Sequence, residues 1–71
     1  MKHGVTEADI RHAFKTVRYD GLVKGYDNKF LLLGFDTKAN LIEVIYNEFG
    51  EDGLNVFHAM PCAPKYFSLL H

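Results

Sequence analysis

His58, Lys65 and Tyr66 have the side-chain types that metal-free acid–base chemistry uses, and they sit within one stretch, residues 54–70 (LNVFHAMPCAPKYFSLL), with His71 one position beyond. Such chemistry takes a group to remove a proton and a group to protonate a leaving atom. It also takes cations where negative charge develops. Imidazole suits both proton transfers because its ordinary pKa lies near neutrality. Lysine and arginine supply the third requirement. Elsewhere in the chain His3, Arg11, Lys15 and Arg18 extend the cationic set, and the last three recur at i, i+4 and i+7 along a predicted helix edge about two turns long. Each group has a plainer reading. A histidine among apolar strand residues is more often a hydrogen-bonded core residue, a basic helix edge is more often a solvated face, and a pair like Lys65 and Tyr66 is more often simply a helix surface and its packing.

The elements that must position these groups follow in order. Thr6 is a good N-cap, with Asp9 at the acid position of a capping box and Val5 and Ile10 at hydrophobic-staple spacing. Ile10, Ala13, Phe14 and Val17 then form a helical stripe that gives out near Val17. Residues 19–26 carry two glycines among β-formers and read as an irregular edge strand. Asp27-Asn28 is the expected hairpin turn. Residues 30–35, FLLLGF, are a continuous apolar run, which suits a central strand covered on both faces. Residues 36–40 make a loop, and residues 41–48 alternate as a strand. After a turn at residues 50–53, the last strand places Leu54, Val56, His58 and Met60 on one face and Asn55, Phe57 and Ala59 on the other. Pro61 ends it, and Pro64 opens a short helix to Leu70. The expected fold is α+β: an antiparallel four-stranded sheet, or three strands plus an irregular edge strand, with an N-terminal and a short C-terminal helix.

Composition bounds the function classes. The chain has 71 residues, 48% of them hydrophobic, so it makes one ordered domain with a small core. A net charge of −1 is weak footing for a general nucleic-acid binder, although residues 1–29 hold six basic and four acidic groups against one and five in residues 30–60. Cys62 has no partner for a disulfide, nothing at the N-terminus resembles a signal peptide, and no apolar run is long enough to span a membrane. A cytoplasmic location is the expectation. The four histidines lack HxH or HxxxH spacing and Cys62 has no CxxC companion, so neither a metal nor another cofactor is expected.

Three segments together resemble the BrnT-type toxins, small ribonucleases with a RelE-like fold from bacterial type II toxin–antitoxin pairs. Lys2-His3-Gly4-Val5-Thr6-Glu7 is similar to that family's KHGV(S/T)-x-E lead-in to its first long helix. The stretch from Leu31-Leu32-Leu33-Gly34-Phe35-Asp36 to Leu41-Ile42-Glu43-Val44-Ile45-Tyr46 is similar to its central hairpin. Val56-Phe57-His58-Ala59-Met60 falls where the family writes I-I-S-A-R. Met60 thus stands at the family's arginine and His58 at its serine, and the chain starts without the strand and basic turn that usually precede KHGV. The resemblance implies a divergent, N-terminally short RelE-like domain, an mRNA-cleaving activity with RNA as substrate, and an antitoxin partner. The missing arginine motivates an alternative on the same fold, a non-catalytic interaction module acting through a homodimer or heterodimer.

Overall fold

The computed structural model describes residues 4–51 and 53–70. His3, His71 and the Asp52 position of the last turn lie outside them. The order is α1 (Glu7–Lys15), β1 (Tyr19–Leu22), β2 (Phe30–Phe35), β3 (Leu41–Phe49), β4 (Gly53–Pro61) and a 3-10 helix (Pro64–Leu69). The strands form one antiparallel meander in the order β1-β2-β3-β4. The α+β class and the element order are those expected. The differences are local: β1 stops at Leu22, its connection to β2 spans seven residues rather than a tight Asp27-Asn28 hairpin, and the last helix is 3-10 in geometry.

The start of α1 is built as its sequence dictates. The Thr6 hydroxyl accepts from the Asp9 N–H at 3.1 Å, and the Asp9 carboxylate accepts from the Thr6 N–H at 3.0 Å. Val5 and Ile10 are both buried in the same apolar cluster. Asp9 also accepts from the Thr37 hydroxyl at 2.6 Å and the Thr37 N–H at 3.1 Å, so one carboxylate ties the helix to the β2–β3 loop. The Thr37 hydroxyl first, then the Thr6 and Thr37 amides, hold the Asp9 carboxyl well below the ordinary carboxylate range. At the other end Thr16 caps the helix. Its hydroxyl donates to the His12 carbonyl at 2.8 Å and accepts from the Phe35 N–H at 3.0 Å, while His12 Nδ1 bonds the Phe35 carbonyl at 2.9 Å. The two ends of α1 are thereby pinned to the β2–β3 loop and to the end of β2.

One sheet face carries α1. Leu32, Ile42, Val44, Tyr46 and Ala59 point to it and meet Ile10 and Ala13, with Phe14, Phe30 and Val56 around them. Full burial of each aliphatic side chain is worth roughly 1.5–3 kcal/mol. The Tyr46 ring meets Phe14 edge-on at 5.1 Å and stacks on Phe30 at 5.3 Å, and its hydroxyl donates to Asp20 at 2.9 Å. Burial and the Asp20 carboxylate push the phenol upward, so it stays neutral. Gly34 permits the closest approach: a Cβ there would run into the Ala13 carbonyl. The other face, here the outer face, carries Leu31, Leu33, Glu43 and Ile45, and the chain after Pro61 folds over it.

A β-bulge opposite Ile45 and Tyr46 changes the face assignment of β4. Ile45 pairs with His58 and Tyr46 with Val56, leaving Phe57 as the extra residue. The uniform alternation expected from the sequence therefore breaks. Leu54 and Val56 share the α1 side with Ala59, whereas His58 and Met60 lie on the outer face.

Two stability outcomes follow. Gly34→Ala should lower the urea midpoint by an amount equivalent to about 1–3 kcal/mol, because neither backbone can yield. An unchanged midpoint would contradict the close packing of α1 on β2. Asp9→Asn should melt below wild type at neutral pH. A lowered native pKa gives stabilisation that is present above the unfolded value and lost on acidification, so the gap should start to close below about pH 4. Thermal melts across pH 7 to 3 check both the gap and its closing.

Candidate functional site

Glu43 is the centre of the outer face. It is a single carboxylate in the apolar run of β3, and its side chain is only 5% exposed. Burying a carboxylate is costly unless its oxygens find donors, and both do. Oε1 accepts from the Ala63 N–H at 2.7 Å, and Oε2 lies 2.9 Å from His58 Nε2. With the carboxylate as acceptor, Nε2 carries a hydrogen, and Nδ1 is the ring nitrogen turned away from that bond. Among the described residues nothing bonds Nδ1, and the His58 side chain is 32% exposed. A buried carboxylate thus orients a partly accessible imidazole, the arrangement that sets a general base in many hydrolytic sites.

The same carboxylate positions the C-terminal segment. Ala63 precedes Pro64 at the first 3-10 position, and Lys65 and Tyr66 follow at once. Two strands and the last helix are therefore referred to one pair of oxygens: Glu43 from β3, His58 from β4, and the segment bearing Lys65 and Tyr66. The Lys65 ammonium stands 5.1 Å from the centre of the Tyr66 ring. Cys62, beside Glu43, has its thiol pushed up by burial and then by that carboxylate, which disfavours the thiolate a nucleophile needs.

The basic residues divide. α1 ends at Lys15, so the edge expected to run through Arg18 is cut short. Arg11 pairs with Glu7 at 3.1 Å, both side chains largely exposed, a contact worth little, and with Lys15 it borders Ile10, Phe14, Leu54 and Val56 on the α1 side. Both lie across the sheet from His58. Arg18 instead reaches the Phe35 ring at 6.0 Å, beside Leu41, Phe67 and Leu70 of the C-terminal segment. His3 lies outside the described residues. Among the described residues no three His, Cys, Asp or Glu side chains gather as a metal-binding group, and no helix is long and apolar enough to cross a membrane.

Glu43 was the residue that sequence reasoning passed over. Its signal was present, a lone acid in LIEVIY, but alternation alone only sets it on the strand face opposite Ile42, Val44 and Tyr46 and assigns it no role. Removing it tests its role. Glu43→Ala leaves the Ala63 N–H unpaired and should cost about 1–3 kcal/mol, with faster amide hydrogen exchange across residues 62–70. Glu43→Gln keeps an acceptor for that amide and should cost less; equal losses for the two variants would mean that the Ala63 bond contributes nothing.

The chain matches no family model, no curated protein and no solved structure in the three comparisons made with known proteins.

Proposed function

We propose that this chain is a metal-independent endoribonuclease of the toxin type, working from the outer face and held in check by an antitoxin protein. The observation that carries the reading is the Glu43–His58 pair, with its buried carboxylate, its half-sheltered imidazole and the Lys65–Tyr66 segment anchored on the same oxygens. In this reading His58 Nδ1 removes the 2′-hydroxyl proton, and the 2′-oxygen attacks the adjacent phosphorus. The bond to the 5′-oxygen breaks and a 2′,3′-cyclic phosphate forms. Lys65 offsets charge on the non-bridging oxygens, and the Tyr66 hydroxyl supplies the proton to the departing 5′-oxygen. Glu43 acts through His58 as a positioning residue. The resemblance of the three segments to BrnT-type toxins agrees in class, with His58 replacing that family's serine by a group able to move protons.

A second reading has its own support. β4 is a nine-residue edge strand with no Asp, Glu, Lys or Arg, and Leu54 and Phe57 on it are about half exposed. Edges are ordinarily protected by charge, so an unguarded one suits pairing with a second copy or a partner strand. This is the non-catalytic interaction module.

Expression in a bacterial host separates the two. On the ribonuclease reading, expression without a partner slows growth, and purified protein cleaves RNA to cyclic-phosphate ends. His58→Ala should lower that rate by about 10²–10⁴-fold and restore growth, as should Lys65→Ala. Normal growth at high expression, no cleavage, and a stable dimer by light scattering would favour the interaction module.

A further inference from the structure

A second feature begins at the residue before His58 and has no part in the chemistry above. Phe57, the extra residue of the β4 bulge, immediately precedes His58 and is 50% exposed. Tyr26, in the β1–β2 connection, is 55% exposed. The Lys29 ammonium stands between them, 4.3 Å from the centre of the Tyr26 ring and 5.7 Å from that of Phe57. Lys29 directly precedes Phe30, the first residue of β2, and its carbonyl accepts from the Val23 N–H at 2.7 Å. Asn47, one residue past the partner of Phe30 and paired with Asn55, has an amide oxygen without a hydrogen-bond partner among the described residues.

We infer that Tyr26, Lys29 and Phe57 form a stacking platform for the unstacked bases of a single-stranded RNA, set beside His58 to feed the strand to it. The inference deepens the ribonuclease reading and rests on it for the choice of RNA. Half-exposed aromatic rings flanking a cation are how proteins hold single strands: the rings take base faces and the cation takes the backbone phosphate. A duplex hides its base faces and would gain little here. A protein partner fits less well, because the buried centres of protein interfaces are depleted in lysine, and here lysine is at the centre of the patch. The bulge has a use on this account. It turns His58 to the outer face and sets Phe57 next to it in the same step. None of the three residues belongs to the basic set read from the sequence, and the two exposed cations of α1, Arg11 and Lys15, lie across the sheet from His58.

The test is fluorescence anisotropy of a labelled uridine- and adenine-containing RNA of about ten nucleotides against the full chain, with folding of each variant checked by circular dichroism. The His58→Ala variant serves as the non-cleaving parent. Phe57→Leu and Tyr26→Leu keep apolar bulk and remove the ring. Each should weaken binding by about five-fold or more. Lys29→Gln should flatten the dependence of log affinity on log salt by about 0.7. Binding that survives all three substitutions, or no binding by the parent, overturns the platform. So does self-association of the parent that Phe57→Leu abolishes while RNA binding is unmoved, which assigns the patch to a second copy. Cleavage by wild type is scored separately. RNA held by the platform but not cut upholds the platform and ends the ribonuclease reading; RNA cut with KM unchanged in Phe57→Leu does the reverse.

Discussion

The outer face depends on one buried carboxylate. Glu43 lies on a central strand, under a covering segment, in a place where an unpaired charge would cost several kcal/mol. Its two oxygens are matched by two donors from different parts of the chain, the Ala63 amide and the His58 ring. Remove the carboxylate and both the path of the chain after Pro61 and the angle of the imidazole lose their reference. The 3-10 helix contributes no buried side chain of its own, and the Ala63 bond to Glu43, with the Cys62 N–H donating to the Leu41 carbonyl at 3.0 Å, ties the chain leading into it to β3.

The two faces are stabilised by different means. The α1 face is an apolar core closed around Tyr46, with Gly34 letting the helix backbone come down onto β2. Asp9 and Thr16 fix the helix ends, so that face resists change. The outer face has buried Leu31 and Leu33 beneath it but keeps polar groups and half-exposed rings at its surface. A small domain has little surplus stability, and here its main core lies on the face away from the Glu43–His58 pair.

Most of the fold was legible because its signals are local. A capping box, a helical stripe, apolar runs of strand length and two prolines each follow from neighbouring residues, and each appears where expected except that the stripe stops short of Val17. The misses are non-local. The length of α1 was overread because Val17 continued the apolar spacing, whereas the Thr16 hydroxyl stops the helix by bonding Phe35 across the molecule. The tight β1–β2 hairpin was overread because Asp27-Asn28 is permissive of a turn without requiring one.

The candidate site shows the same division. Residue types alone singled out His58, Lys65 and Tyr66, and the segment order alone placed them near the chain's end. What they could not convey is which face His58 occupies. That was decided by the bulge at Phe57, one residue out of step in a hydrogen-bond ladder, which leaves the composition and the apolar pattern unaltered. Nor could alternation reveal Glu43 as buried, because its burial depends on a segment arriving from twenty residues later in the chain. The chain by itself determined the elements and the reactive groups; the tertiary structure decided which of those groups meet, because facing and burial are set by long-range pairing and cover.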